Sequence, residues 1–133
     1  MIQIFDNFLP EQEFKEIQHF MSNMHFPWFM GKVLPDEFSE CDDIDNYQLM
    51  HIFYAPPTDM SPYLETLKPL IKKMRIYALI RVKANLNPRT PQPITHGMHL
   101  DVPPEHAKKI YTAIYYLNTN NGGTVFEDGT RID

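Results

Sequence analysis

His99-Leu100-Asp101 is the triplet in this sequence with the clearest chemistry. Residues two apart on a β-strand point to the same face, so an imidazole and a carboxylate would converge on one point. That is two thirds of the two-His-one-carboxylate facial triad. The triad binds iron(II) on one side and leaves its other positions open for a co-substrate and oxygen. Nitrogen and hard oxygen donors suit iron(II), and a rigid strand would fix their geometry. Alone, the triplet is a weak signal. With six His and nine Asp in 133 residues, about 0.4 such triplets arise by chance, the risk any short motif carries. A surface His and Asp pairing near a strand end reads the same way.

The elements that would position this triplet follow from periodicity. Residues 10–24 read as an amphipathic helix: Phe14, Ile17, Phe20, Met21 and Met24 recur at helical spacing among charged residues. Pro10 suits the first turn and Pro27 helps end the element. Residues 31–46 read as an acidic loop, either a solvated connection or a flap over a site. Residues 48–54 read as a short strand. A second helix is expected from Ser61 to about Met74, with Ser61 as N-cap and Pro69 kinking or restarting it. From Ile76 the period becomes two. Ile76, Ala78, Ile80, Val82, Ala84 and Leu86 share one face; Tyr77, Leu79, Arg81, Lys83 and Asn85 share the other. Further strands are expected near 94–101, 109–118 and 123–127, with Asn120-Asn121-Gly122-Gly123 as the turn between the last two. Helices first and antiparallel strands after give an α+β fold, a sandwich or jelly roll with helices on one sheet.

In that context the sequence resembles a known family. His96-Gly-Met-His-Leu-Asp101, then Ile110-Tyr-Thr-Ala-Ile-Tyr-Tyr-Leu-Asn118, then Gly122-Gly-Thr-Val-Phe126 look like the first half of the catalytic core of the prolyl-4-hydroxylase-like iron(II)/2-oxoglutarate-dependent dioxygenases. The likeness covers about residues 76–129 and is closest to the short versions of marine phages and bacteria. It implies a double-stranded β-helix (jelly roll) with N-terminal helices packed on it. It implies iron(II) held by His99 and Asp101, and 2-oxoglutarate as co-substrate. It further implies that Tyr116 faces the cavity and helps hold the far carboxylate of 2-oxoglutarate. Thr112, Ile114 and Tyr116 would share that face, which brings Ile114 to the co-substrate. Asn85 matches a cavity position, and Arg81 lies on the same face as a weaker candidate. Each has a plainer reading: Tyr116 as an aromatic strand residue, Asn85 and Arg81 as ordinary exposed polar residues. His19, His25 and His51 read as packing or surface residues. His96 falls on the opposite face of a continuous strand from His99, and His106 lies in a loop.

The sequence also departs from the family. The distal His and the Arg or Lys that would pair with 2-oxoglutarate have no counterpart here, and Arg131 comes too early. The expectation is a C-terminally truncated chain of one domain, 1–133. Residues 1–75 would be a helical support region and 76–133 the first part of the β-helix core. Iron(II) and 2-oxoglutarate would bind weakly or not at all, and the incomplete sheet would self-associate. A complete enzyme would hydroxylate a peptide side chain or a small molecule. The alternative is a non-catalytic jelly-roll binding or assembly module, since fold does not fix function.

Bulk composition narrows the partners. The chain is 43% hydrophobic and 22% charged, ordinary for a globular domain. Its net charge of −5 argues against a nucleic-acid backbone as partner. Cys41 is the lone cysteine, which excludes an intrachain disulfide and a thiolate-only metal site. The sequence carries no recognisable signal peptide or membrane span, so a cytoplasmic location is the default expectation.

Overall fold

The computed structural model of the chain describes residues 2–132. It is mixed helix and strand, with antiparallel sheets that do not close into a barrel. The helices are α1 (Glu11–Met21), α2 (Lys68–Lys73) and α3 (Pro104–Ala107). The strands are β1 (Phe29–Lys32), β2 (Tyr47–Ala55), β3 (Asp59–Met60), β4 (Val82–Leu86), β5 (Thr124–Val125) and β6 (Arg131–Ile132). Among the described residues, no helix is long and apolar enough to cross a membrane.

The chain divides into two compact units. One comprises the residues up to Phe29 together with Leu49–Leu86; the other comprises Met30–Gln48 together with the residues from Asn87 onward.

In the first unit, α1 forms where the apolar spacing predicts it. Pro10 is its N-cap rather than part of its first turn, with φ −53° and ψ 144°. Pro10 needs no N–H there, and its carbonyl accepts the first helical bond from Phe14 N–H at 3.0 Å. Glu11 and Glu13 occupy the positive end of the helix dipole. The buried stripe is Ile17 and Met21, which join Leu9, Phe26, Phe53 and Leu67 as the unit's buried apolar side chains. Aromatic rings fill the space between: Phe26 stands 5.4 Å from Phe20, 4.8 Å from Trp28 and 5.9 Å from Phe53. Ser61 caps the next helical segment as expected, its side chain accepting from Tyr63 N–H. The segment begins as a 3-10 helix, Pro62–Leu67, and becomes α-helical only at Lys68. Pro69, with no N–H to give, falls in the first turn of α2, where a donor is dispensable.

β2 is the central strand of the larger sheet. It pairs antiparallel with β4, from Leu49↔Leu86 to Tyr54↔Val82, with an irregularity between Ile52 and Tyr54. β3 pairs with the end of β2 at Tyr54↔Met60 and Ala55↔Asp59, and β1 is also a neighbour of β2. Three strands therefore precede α2, where the sequence predicts one. β4 is shorter than predicted: the alternating run from Ile76 is paired only from Val82. Its partner β2 turns away at Pro56-Pro57, just past Tyr54. Alternation without a neighbouring strand supplies no ladder. Ala78 and Ile80, expected on the inward face, are exposed.

The second unit corrects the strand predictions further. Residues 94–101 and 109–118 form no ladder, and 123–127 contributes only the two residues of β5. β5 does pair antiparallel, but with β6, through Thr124↔Ile132 and Val125↔Arg131. The hairpin turn is therefore not at residues 120–123 but after Phe126. Gly129 takes φ +84° there, and Phe126 N–H donates to the Thr130 carbonyl at 2.8 Å. Asn120 instead makes a side-chain turn, its Oδ1 accepting from Gly122 N–H at 2.8 Å.

Candidate functional site

His99 lies on a stretch without regular secondary structure or strand partners, and Asp101 lies at the bend that follows; both are exposed. The pleat argument for their convergence therefore does not apply here. A different local device orients His99. Its Nδ1 stands 3.0 Å from the carbonyl oxygen of Gly97. A carbonyl only accepts, so Nδ1 carries the hydrogen, and in the neutral ring Nε2 keeps the lone pair. That is the tautomer a metal-binding histidine needs, with one nitrogen tied to a protein acceptor and the other presented.

Gly97 is the only residue of the described stretch 87–132 that is buried. A Cβ at this position would stand 2.5 Å from the Phe38 carbonyl oxygen and 3.2 Å from Cγ of Glu40. Glycine is required for that approach. The same contact draws the acidic segment onto the stretch that carries His99. One residue earlier, His96 Nδ1 is 3.4 Å from Cys41 Sγ. Burial holds the His96 pKa below its ordinary 6.5; the nearby His99 charge lowers it further, and Asp45 opposes both.

The acidic segment itself has a closed neck. The Asn46 side chain accepts from Leu34 N–H at 3.0 Å and donates to the Leu34 carbonyl at 2.8 Å. Both residues are buried. Residues 35–45 thus leave and return at one point, the definition of an Ω-loop.

The co-substrate candidates are placed as follows. The hydroxyl of Tyr116 is 2.6 Å from Thr124 Oγ1, one of the two groups donating to the other. Tyr116 and Ile114 are both exposed on a stretch without regular secondary structure. Asn85 lies on β4 opposite Met50, and Arg81 lies just before that strand; both are exposed. These two belong to the first unit and the other four candidates to the second. Among the described residues, no group of three His, Cys, Asp or Glu side chains stands close enough to hold a metal ion. His99 and Asp101 are residue types that suit iron(II), and neither belongs to such a group among the described residues.

One further constellation joins residues distant in sequence. His51 is buried on β2 with both ring nitrogens engaged: Nδ1 is 2.9 Å from the Pro27 carbonyl and Nε2 is 2.9 Å from Ser61 Oγ. The carbonyl fixes the hydrogen on Nδ1, so the Ser61 hydroxyl donates to Nε2. A serine donating to an oriented histidine has the connectivity of a nucleophile and its base. Here it is a strut. Ser61 Oγ also accepts from Tyr63 N–H at 3.2 Å. The imidazole is closed in by Phe26, Phe53 and Tyr63, with ring centroids at 4.8, 4.6 and 5.9 Å. His51 is a packing residue, as its apolar strand context predicts.

Comparison with protein-family models, with curated proteins and with solved structures finds no match for this chain.

Proposed function

We propose that this chain carries part of the metal site of an iron(II)/2-oxoglutarate-dependent oxygenase of the prolyl-4-hydroxylase-like kind, on a jelly-roll-related α+β scaffold. The observation that carries the reading is the His99 tautomer: Nδ1–H tied to the Gly97 carbonyl, Nε2 presented, and a carboxylate two residues on. Tyr116 supports it in a second way. Either hydroxyl of the Tyr116–Thr124 pair can be the donor, and in the proposed role Thr124 donates, so that the phenol keeps its own hydrogen for a carboxylate. The donor set falls one short of a facial triad, so no catalytic step is derived. In the proposed role, iron(II) with 2-oxoglutarate supplies oxygen activation. The chain's own residues hold one side of the metal and offer a neutral hydrogen bond to the co-substrate. The substrate is a peptide side chain or a small molecule.

The test is Mn(II) titration of the whole chain, followed by electron paramagnetic resonance, with and without 2-oxoglutarate. The expected result is weak binding that 2-oxoglutarate strengthens, with His99→Ala and Asp101→Ala each weakening it by at least about tenfold. Tight binding that neither substitution changes would place the metal elsewhere and end this reading.

A second reading, a non-catalytic assembly module, is favoured by a separate observation. Met98, Leu100, Tyr111, Ile114, Tyr116 and Val125 are all exposed, and Gly97 alone is buried in their stretch. Exposed apolar side chains of this number in one segment are a surface that association would cover. Sedimentation equilibrium showing a monomer at high concentration would count against it.

A further inference from the structure

Gly97 takes part in two contacts at once. Its Cα face receives the Phe38 carbonyl and the Glu40 side chain of the acidic Ω-loop. Its carbonyl holds Nδ1–H of His99. We propose that residues 35–45 are a lid hinged at the Leu34–Asn46 neck, and that Gly97 is the joint coupling lid closure to the orientation of the His99 ring. The lid is a structural inference; its role as a gate to a metal rests on the function proposed above.

The loop is built to move as a body. Its backbone hydrogen bonds lie within the loop or run to its hinge residue: Phe38 N–H donates to Pro35 at 2.9 Å, Ser39 N–H to Asp36 at 3.3 Å, Asp45 N–H to Asp42 at 2.9 Å, and Asn46 N–H to Asp42 at 3.0 Å. They survive when the loop lifts. Its hinge is the buried Asn46 amide, which stays bonded to Leu34 through a rotation about the neck. Its attachment to the rest of the unit is slight by comparison. Phe38 and Ile44 are 62% and 78% exposed, so lifting uncovers little apolar surface. The Cys41–His96 contact at 3.4 Å is a weak sulfur hydrogen bond. The segment carries six carboxylates, at Asp36, Glu37, Glu40, Asp42, Asp43 and Asp45; Lys32 pairs with Asp36 and also feels the charges of Asp43 and Glu37, but Lys32 lies beside the neck and does not fasten the loop to the stretch that carries Gly97. What remains is the fit of a carbonyl and a side chain onto a residue without a Cβ. When the loop lifts, the Gly97 peptide loses the group packed on it and can rotate, and the carbonyl that fixes His99 rotates with it.

The chain contains its own reporter. Cys41 is the single thiol and is half-buried in the closed loop, so its rate of reaction with a disulfide reagent follows lid opening. The test compares wild type with Gly97→Ala, whose Cβ cannot coexist with the Phe38 carbonyl at 2.5 Å. It measures Cys41 labelling, hydrogen exchange over residues 36–46, and Mn(II) affinity on the full chain, with circular dichroism to confirm folding. Gly97→Ala is expected to speed labelling and exchange by about tenfold or more and to weaken Mn(II) binding, while Mn(II) slows labelling in wild type but not in His99→Ala. His96→Ala, a milder change that removes only the latch, should speed exchange over 36–46 in the same direction and less. Labelling and exchange at wild-type rates in both variants would overturn the lid. Faster opening in Gly97→Ala with Mn(II) affinity unchanged would overturn the coupling through Gly97. Absence of Mn(II) binding in wild type would end the metal reading, and with it the gate, while the labelling and exchange rates still decide the lid.

Discussion

The Asn46 side-chain amide satisfies both polar backbone groups of Leu34, accepting from its N–H at 3.0 Å and donating to its carbonyl at 2.8 Å. Asn46 is 1% exposed and Leu34 4%, so water cannot replace either bond. Asn46→Ala would leave a donor and an acceptor unmet in a buried neck. Each orphaned group costs roughly 1–3 kcal/mol, and the expected loss is about 2–4 kcal/mol with partial relaxation. Urea unfolding measures it. A loss under about 0.5 kcal/mol, typical of an ordinary surface change, would show that the neck does not depend on this amide.

Ser61 and His51 make the corresponding strut in the first unit. Ser61 Oγ accepts from Tyr63 N–H and donates to His51 Nε2, tying the start of the 3-10 helix to β2. Ser61→Ala removes an N-cap and leaves Nε2 of a buried ring without its donor. The expected cost is about 1–2 kcal/mol, the upper part of the range for cap removal. Ser61→Thr keeps both bonds and should recover most of it. Equal destabilisation by Ala and Thr would point to packing at this position rather than to the hydroxyl.

The parts of the fold that local chemistry dictates were legible in the residues. α1 follows from the spacing of Ile17 and Met21, the cap at Ser61 from a hydroxyl before proline, and β2 from a β-prone run ended by Pro56-Pro57. The parts that need a distant partner were not. Alternation over 76–86, 94–101 and 109–118 reads as strand, but a ladder requires a neighbour, and only Val82–Leu86 has one. The same failure reached the candidate site. A pleat pairs His99 with Asp101 and sets His96 on the opposite face from His99, whereas in the structure His96 meets Cys41 and lies near enough to His99 for the charges to interact. Gly97 carried a usable signal, since a glycine inside a strand-like pattern marks a close backbone approach. Nothing local in Cys41 or Asn46 announced their partners, which are 55 and 12 residues away.

His96 gives the second unit a pH dependence with a definite sign. Burial, then the neighbouring His99 charge, hold its pKa in the folded chain below the ordinary 6.5, against the pull of Asp45. The unfolded chain therefore binds the proton more readily than the folded one. The stabilisation is fully present above pH 6.5 and is lost as pH falls through 6.5 and on through the lower folded value. Ring-proton NMR should give His96 a midpoint below 6.5. His96→Gln should flatten the corresponding limb of the stability curve. A midpoint at or above 6.5 would mean that Asp45 outweighs burial.

Thr124 offers the most specific test of the co-substrate reading. Its hydroxyl and that of Tyr116 are 2.6 Å apart, and each can donate or accept. If Tyr116 donates to the far carboxylate of 2-oxoglutarate, it has no hydrogen left for Thr124. Thr124 must then be the donor and Tyr116 the relay. Donation by Thr124 polarises the phenol and strengthens its bond to an anion, as in any hydrogen-bonded chain. Thr124→Val keeps shape and removes the hydroxyl. It should reduce the strengthening of Mn(II) binding by 2-oxoglutarate roughly two- to tenfold, the span of one ordinary hydrogen bond, while Mn(II) binding without 2-oxoglutarate stays at the wild-type level. Thr124→Ser keeps the donor and should behave as wild type, and Tyr116→Phe should lose at least as much as Thr124→Val. A full 2-oxoglutarate effect in Tyr116→Phe would remove Tyr116 from the co-substrate site and leave its contact with Thr124 as a local support for β5.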